Sequence, residues 1–229
     1  MATTRTVSTS CKGGDRPNGS AWRHAHLQLD QLFGQWLADQ LTTRRVGEHE
    51  VARPVRPPVE QPVAARDNVG MRWTVLDSPI GEFSVGTDAE GVRAAHFGRV
   101  ESGADEPADA AARRAVAELR AYFAGELTGF TVPVSAPGGS EFERAVWREM
   151  TRIPYGETLT YGEVARLVGD PGAARAVGVA CNRNPIPVLV PCHRIVGAGG
   201  KLVGFGGGLP RKVKLLELEA GVALRHAWS

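Results

Sequence analysis

Apolar and polar residues alternate with a period of two at the start of residues 71–139 and with a helical period later in that segment. The stretch "RWTVLDSPIGEFSVGTDAEGVRAAHFG" contains three short apolar runs separated by the turn sequences "DSPIG" and "DAEG". This pattern predicts three short strands of a small antiparallel sheet. The next stretch, "DEPADAAARRAVAELRAYFAGEL", is rich in alanine and has apolar residues at helical spacing, which predicts one amphipathic helix. With no cluster of titratable residues, this segment is expected to serve as a scaffold.

Helical spacing dominates residues 140–229. Ser140 with Glu143, and Thr160 with Glu163, are capping-box pairs that predict the starts of two helices. A tight "DPG" turn separates the second of these from the short helix predicted in "AARAVGVACNRN", and two short helices so joined have the outline of a helix-turn-helix. The fold class is therefore α+β, with a small N-terminal antiparallel sheet and helix followed by a mainly helical C-terminal domain containing a helix-turn-helix.

Residues 1–70 are expected to form an extension. The first twenty are small, polar and punctuated by glycine and proline, which favours disorder. "AWRHAHLQLDQLFGQWLADQL" has apolar residues at helical spacing and predicts an amphipathic helix, and "ARPVRPPVEQPVAAR" is typical of a proline-rich linker. Three regions follow: the low-complexity, partly helical extension and linker (1–70), the scaffold domain (71–139), and a domain expected to carry the chemistry (140–229).

Composition and charge set outer limits on location and partners. Hydrophobic residues make up 42% of the chain and charged residues 23%, as in ordinary globular proteins. No apolar run has the length of a membrane span and no apolar signal core begins the chain, so a cytoplasmic protein with no membrane association is expected. Residues 140–229 contain 12 Lys and Arg against 8 Asp and Glu. This excess points to a polyanionic partner, although an ordinary mixed surface explains it equally well.

The three cysteines, Cys11, Cys181 and Cys192, are too few for a disulfide framework. A zinc site built from Cys11 with nearby histidines is disfavoured because the spacing is loose; the candidates are His24, His26 and His49. We therefore expect no metal and at least one free thiol in a reducing compartment.

The strongest chemical signal is "NPIPVLVPCHRIVGAGGKLVGFGGG", residues 184–208. "PIPVLV" predicts a buried strand that Pro191 ends, which leaves Cys192 partly in the core and partly in a cleft. A thiol with an ordinary pKa of about 8.5 is mostly protonated at neutral pH, and a histidine base raises the thiolate fraction. Side chains on an extended chain point in opposite directions, so Cys192 and His193 cooperate only if the backbone turns or a water bridges them.

An orienting carboxylate for His193 is expected on the last helix, where spacing does not choose between Glu217 and Glu219. The glycines that follow Cys192 allow a ligand to approach the backbone closely. No dinucleotide or phosphate-binding motif is present, so no cofactor is expected.

These residues resemble the O6-alkylguanine-DNA alkyltransferases, also called methylated-DNA–protein-cysteine methyltransferases. The likeness rests on "PCHR" with "NPIPVLV" before it and "GFGGG" and "KVKLLELE" after it, and it spans roughly residues 71–221. It implies a DNA repair reaction on double-stranded DNA carrying O6-alkylguanine, and also O4-alkylthymine. The alkyl group passes irreversibly to Cys192, without a cofactor and in a single turnover, and the protein acts as a monomer.

The resemblance also implies roles for individual residues. His193 acts on Cys192 through a water, and the position of the family's glutamate selects Glu219 over Glu217. Asn184 braces the active-site turn, and Tyr161 helps to rotate the nucleotide and donates a proton to the departing guanine. The implied DNA contacts are Arg175, inserted where the flipped base had been, with Ala174, Tyr161 and Arg194. The implied alkyl pocket consists of Pro187, Ile195, Phe205 and Gly206.

Two pocket positions depart from the family pattern. Phe205 stands where tyrosine is frequent, and Gly206 stands where serine or alanine is common, so a hydroxyl contact to the guanine oxygen is lost while a backbone contact is retained. We hypothesise that the smaller residue widens the pocket toward bulkier alkyl groups.

Three other function classes fit the sequence less well. A non-catalytic alkylated-DNA sensor would replace the acceptor, whereas this chain keeps Cys192. A helix-turn-helix regulator with an incidental cysteine would not require His193 and Asn184 at these positions. A cysteine hydrolase lacks its expected oxyanion-hole signature.

Overall fold

The computed structural model describes residues 71–228, apart from residues 102, 106, 108, 136 and 137. The described residues all belong to one compact unit. The expectations for residues 1–70, including the amphipathic helix, the proline-rich linker and the zinc alternative at Cys11, fall outside the described residues.

The three predicted strands form one antiparallel sheet in the order β1-β2-β3: β1 (Arg72–Leu76), β2 (Phe83–Thr87) and β3 (Val92–Phe97). Both connections are short turns that begin with an aspartate. In the second turn, the Asp88 carboxylate accepts hydrogen bonds from the backbone N–H groups of Glu90 and Gly91. This local bond explains why the sequence pattern located the turn correctly.

Helix α1 (Ala110–Ala124) packs its apolar face against the sheet. Its N-terminus is capped by Asp109, whose side chain accepts from the Ala112 N–H, and its C-terminus ends at Gly125 in the left-handed region. Phe83 of β2 is fully buried, with its ring edge-on to Phe123. Each such buried aromatic contributes about 2 kcal/mol through removal of apolar surface from water.

Four helices follow: α2 (Glu141–Arg152), α3 (Tyr161–Leu167), α4 (Ala174–Asn182) and α5 (Leu209–Ala227). Both predicted capping boxes are formed, at Ser140 and at Thr160. The α+β fold class is thereby confirmed. Helices α3 and α4 contact each other, and their use as a helix-turn-helix stays a prediction.

The predicted strand in "PIPVLV" is wrong. The described chain forms a compact loop here, with only an isolated bridge between Pro187 and Val190. The Asn184 amide donates to the Val190 carbonyl (2.7 Å), and its own oxygen accepts from the Ile186 N–H (3.0 Å). Prolines remove the amide donors that a strand ladder needs, so this apolar run is buried as a loop.

Two features of this region depend on distant parts of the chain. Val188 adopts φ of 75°, a strained value for a β-branched residue that the surrounding core enforces. Immediately after the cysteine, β5 (Ile195–Val196) pairs in parallel with β4 (Leu159–Thr160). Because β4 leads directly into α3, this pairing brings the start of α3 beside the cysteine-containing turn.

The sheet is joined directly to the cysteine-containing region. The Ala95 N–H on β3 donates to the Pro185 carbonyl (2.9 Å), and Arg211 at the start of α5 donates to the Ile80 carbonyl (3.1 Å). The ring of Phe97 lies edge-on to Phe205, with 5.4 Å between centroids. The two predicted domains therefore share an interface close to Cys192.

The helices of the described part are all too short or too polar to cross a bilayer.

The α2–α4 contact supplies a stability prediction. The Trp147 indole N–H donates to the Ala180 carbonyl (2.9 Å) in the core. Trp147→Phe removes this donor and part of the ring, so the free energy of unfolding, measured by urea denaturation, should fall by about 2 kcal/mol. Trp228→Phe is the matched control, because Trp228 is 88% exposed. Equal effects of the two changes would contradict this account.

Candidate active site

Cys192 lies in a short 3-10 turn, Cys192–Arg194, which follows the proline-rich loop. The Cys192 N–H donates to the Val190 carbonyl (2.9 Å) and the Arg194 N–H to the Pro191 carbonyl (3.0 Å). Successive side chains on such a turn diverge by about 120°, rather than pointing in opposite directions as they would on a strand. The backbone turn that cooperation between Cys192 and His193 requires is therefore present.

The thiol is more deeply buried than expected, because Cys192 is only 7% exposed. Burial raises the pKa of the Cys192 thiol above its ordinary value. A hydrogen bond from the Asn184 side chain and the charge of Lys212 oppose this effect. The resting thiol is thus protonated at neutral pH, and it requires a base before it can act as a nucleophile.

The side chain of His193 is held by a fully buried carboxylate. Its Nε2 lies 2.9 Å from Oε1 of Glu219, and both residues are completely inaccessible to solvent. Geometry thus agrees with Glu219, whereas Glu217 is exposed. Burial lowers the pKa of His193, while the hydrogen bond and charge of Glu219 raise it.

The charge on Glu219 determines the histidine tautomer. Burial would raise the pKa of Glu219, but hydrogen bonds and charge from His193 and Arg194 lower it to about 2. An ionised carboxylate only accepts hydrogen bonds, so Nε2 of His193 must carry the proton. Nδ1 is then the free lone pair, and it has no hydrogen-bond partner within the described residues. Neutral His193 in this tautomer therefore has a lone pair on Nδ1 that can accept a proton.

Arg194 was expected to contact DNA, and the structure corrects this expectation. The residue is 6% exposed, with its Nε 2.9 Å from Oε2 and its Nη2 2.9 Å from Oε1 of Glu219. Its Nη1 donates to the Ile153 carbonyl (2.6 Å). The Arg194 guanidinium forms this bidentate ion pair because the buried carboxylate of Glu219 needs a compensating charge.

Tyr161 and Arg175 lie in the first turns of two helices that contact each other, α3 and α4. Tyr161 begins α3 next to the β4–β5 pair, and burial raises the pKa of its hydroxyl to about 12, with contributions from Cys181 and Cys192. The Tyr161 ring lies against Gly178 of α4, at a distance of about 3.8 Å from an added Cβ. Arg175 is exposed in the first turn of α4, and its neighbour Ala174 is half-buried.

The four expected pocket residues have different environments. Pro187 and Ile195 are buried, and the Ile195 carbonyl accepts from the Lys212 ammonium (2.5 Å). Phe205 is half-buried between Phe97 and Lys212. Gly206 is exposed, and a Cβ added to it would meet no atom within 4 Å. Of these four residues, Phe205 and Gly206 have accessible surface, whereas the contact of Ile195 with Lys212 is made by its backbone carbonyl.

Sequence reasoning missed two buried polar side chains. Lys212 of α5 is fully buried, and its charge acts on both Cys192 and Cys181. Tyr122 of α1 is also fully buried, and its hydroxyl donates to Oε1 of Glu219 (2.6 Å). For Lys212, the only local signal was its position on the apolar side of the predicted helix in "PRKVKLLELEAG". Tyr122 gave none, because its partner is 97 positions away.

Within the part of the chain that the structure describes, no group of three or more His, Cys, Asp or Glu side chains could hold a metal ion.

Two protein-family models match the chain. Residues 71–136 match the ribonuclease-like domain of 6-O-methylguanine DNA methyltransferase, and residues 141–221 match its DNA-binding domain. A methylated-DNA–protein-cysteine methyltransferase of Methanosarcina acetivorans is 46% identical over 154 residues, covering 65% of this chain and 98% of the relative. The enzyme of that name from Mycobacterium leprae is 58% identical over 113 residues, covering 49% and 68%.

Solved structures agree with these matches. The O6-methylguanine methyltransferase of Mycobacterium tuberculosis superimposes with a TM-score of 0.58 at 45% identity, covering 66% of this chain and 93% of the other. The OGT of that organism in complex with DNA gives a TM-score of 0.60 at 44% identity, covering 66% and 94%.

The buried carboxylate supplies a second prediction. Glu219→Gln leaves Arg194 with an uncompensated buried charge, so the free energy of unfolding at pH 7 should fall by about 3 kcal/mol. The pKa of Glu219 is lowered from 4.5 to about 2. Its contribution is therefore complete above about pH 4.5 and is lost as the pH falls toward 2. Urea denaturation across this range should show a shallower acid dependence in the variant.

Glu217→Gln is the matched control, since Glu217 is exposed on the same helix. It should change the free energy of unfolding by less than about 0.5 kcal/mol. An unchanged acid dependence in Glu219→Gln would show that the carboxylate does not carry this effect.

Proposed function

The chain belongs to the 6-O-methylguanine DNA methyltransferase family, and from this premise we propose that Cys192 is the acceptor of the alkyl group. The protein is a DNA repair enzyme that transfers alkyl groups from methylated DNA to one of its own cysteines. The observation that carries the assignment is the placement of Cys192 and His193 on one turn, with His193 held by Glu219 at 2.9 Å. Cys181, the other described cysteine, is buried, and its thiol lies 4.0 Å from the sulfur of Met150.

In the proposed reaction, His193 activates the thiol through its Nδ1 lone pair. The proton moves from Sγ of Cys192 to the imidazole, directly or through a bridging water. The thiolate then attacks the alkyl carbon bonded to O6 of guanine, so that an S–C bond forms as the C–O6 bond breaks. The electron pair of the broken bond stays on guanine. Glu219 stabilises the imidazolium formed in the first step.

Lys212 and Asn184 support the thiolate before attack. The Lys212 charge and the hydrogen bond from the Asn184 side chain both lower the pKa of Cys192, against the larger effect of burial. Asn184 also closes the preceding loop by donating to the Val190 carbonyl. Removing the side chain of Asn184 would therefore alter both the position of the thiol and its acidity.

Tyr161 is proposed as the proton donor to the departing guanine. Guanine leaves as an anion unless it is protonated, so a positioned acid lowers the barrier. A phenol with its pKa raised to about 12 by burial stays protonated at neutral pH, and it is thus available as a donor. The proton delivered to guanine balances the proton that Cys192 loses.

A damaged base inside a duplex cannot reach a buried thiol, so we propose that the lesion is flipped out of the helix. Flipping costs a few kcal/mol in lost stacking and pairing. Arg175, exposed at the start of α4, is proposed to fill the vacated space and to meet the phosphates, with Ala174 allowing close approach. Helices α3 and α4 would act together as the helix-turn-helix.

The proposed substrates are O6-alkylguanine and O4-alkylthymine in double-stranded DNA. We propose that the protein acts as a monomer, because the proposed chemistry requires residues from one chain only, and that its location is the cytoplasm. Size-exclusion chromatography of the protein mixed with a lesion-containing duplex measures the number of protein chains bound per lesion. A complex with two protein chains per lesion would contradict the monomer proposal.

A single experiment tests the acceptor assignment. Wild-type protein is incubated with a duplex that carries O6-methylguanine, and its peptides are mapped by mass spectrometry. The peptide that contains Cys192 should gain the mass of one CH2. Cys192→Ser should lose transfer completely, because the acceptor is absent.

Cys181→Ser is the control and should retain transfer, since Cys181 is proposed to be structural. Tight lesion binding by a wild-type protein whose Cys192 stays unmodified would overturn the assignment and support a non-catalytic sensor. Modification of a different cysteine would also contradict it.

Gly206 allows the alkyl-range hypothesis to be tested. A Cβ at Gly206 meets no atom within 4 Å, so Gly206→Ser should fold normally. Because the serine occupies space beside the proposed pocket, the ratio of benzyl to methyl transfer rates should fall roughly tenfold. Gly204→Ser is the control, as its Cβ would also meet nothing within 4 Å. A wild-type benzyl tolerance equal to or narrower than that of Gly206→Ser would reject the hypothesis.

A further inference from the structure

Tyr122 reaches the proposed active site from the segment that sequence analysis treated as a scaffold. It lies near the end of α1, and its side chain is completely buried. Its hydroxyl donates to Oε1 of Glu219 at 2.6 Å and lies 3.4 Å from Nε2 of His193. The hydroxyl therefore contacts both members of the pair that would activate Cys192.

The tyrosine shares one carboxylate oxygen with the histidine. Oε1 of Glu219 accepts from Tyr122, from Nε2 of His193, and from Arg194, whose Nη2 is 2.9 Å away. Oε2 accepts from Nε of Arg194 (2.9 Å) and from the Gly156 N–H (3.0 Å). Every donor on Oε1 withdraws negative charge that would otherwise stabilise a protonated His193.

Aromatic packing fixes the tyrosine ring. The ring contacts Phe130 and Phe123 on one part of its surface, with centroid distances of 5.1 and 5.4 Å. Tyr155 lies edge-on at 5.8 Å. This packing fixes the position of the ring, so the hydroxyl oxygen at its end is held beside the carboxylate.

We propose that Tyr122 is a positioning residue for alkyl transfer, which holds Glu219 in place and limits the basicity of His193. The proposal rests on the proposed function for its kinetic consequence. A less basic His193 remains neutral to lower pH, and neutral imidazole is the form that accepts the thiol proton. The tyrosine thus extends the pH range in which the protein reacts to lower pH values.

Besides Tyr122 of α1, the charged and titratable groups that surround His193 and the Tyr122 hydroxyl come from three elements. Glu219 and Lys212 belong to α5, Arg194 to the 3-10 turn, and Tyr155 to the segment before β4. Burial, together with the charge of Glu219, raises the pKa of Tyr122 well above its ordinary value. The hydroxyl therefore remains a donor across the whole pH range in which His193 titrates.

The test is Tyr122→Phe, which keeps the ring and removes only the hydroxyl. The carboxylate then acts more strongly on His193, whose titration midpoint, followed by histidine-edited NMR, should rise by roughly one pH unit. The acid limb of the pH–rate profile for transfer from an O6-methylguanine duplex should shift to higher pH by the same amount. One pH unit below the wild-type midpoint, the variant should therefore react several-fold more slowly than the wild type.

Tyr155→Phe is the matched control. It removes a hydroxyl from a ring that packs on Tyr122, and that hydroxyl has no hydrogen-bond partner among the described residues. The control should leave both the His193 midpoint and the acid limb unchanged, whatever its effect on thermal stability. An equal response in the two variants, or an unmoved His193 midpoint in folded Tyr122→Phe, would overturn the proposal.

A second variant covers the case in which Tyr122→Phe does not fold. Site-specific replacement of Tyr122 by 3-fluorotyrosine keeps the shape and makes the hydroxyl a stronger donor, so the His193 midpoint should move down instead of up. An upward or absent shift would contradict the proposal. The NMR titration needs no alkyl transfer, so a protein that shows the shift without transferring alkyl groups would refute the proposed function alone.

Discussion

A single buried carboxylate, that of Glu219, organises the candidate active site. An ionised group without solvent is strongly unfavourable unless donors surround it, and here four donor groups converge from three separate parts of the chain. They are the hydroxyl of Tyr122, the Gly156 N–H, the imidazole of His193 and the guanidinium of Arg194. The need to satisfy this charge constrains helix α1, the loop before β4, the 3-10 turn and helix α5 at the same time.

The same burial that makes the carboxylate costly also sets the chemistry of the thiol. Burial raises the pKa of Cys192 and lowers that of His193, so both groups are neutral at rest. Glu219 orients the imidazole with Nδ1 as the free acceptor, while Lys212 and Asn184 favour the thiolate once the proton has left. A protonated resting thiol suits the proposed single use of Cys192, because an exposed thiolate would react with other electrophiles.

The sheet-containing segment belongs to the site as much as to the scaffold. It supplies the Tyr122 hydroxyl, the Ala95 N–H that holds the proline-rich loop, and the Phe97 ring that lies against Phe205. Adding a Cβ to Gly207 would bring it within 2.7 Å of the Phe97 ring, so close packing between the two halves requires glycine there. Substitutions in this half can therefore affect the reacting groups without touching DNA.

The sequence by itself determined the features that depend on neighbouring residues. The period-two runs gave the three strands, the capping boxes located helices α2 and α3, and the motif around Cys192 indicated the family and the reaction. The failures at Arg194 and Tyr122 have a common cause, since the partner of both residues, Glu219, is far away in the chain. The prolines and the tertiary core turned "PIPVLV" into a loop with Val188 strained, and Arg194 was drawn inward by Glu219. Only the tertiary structure distinguished Glu219 from Glu217 by contact, placed the Tyr122 hydroxyl on Glu219 and buried Lys212. The physical reason is that a buried charge needs donors that are close in space, and their separation in the sequence does not reveal them.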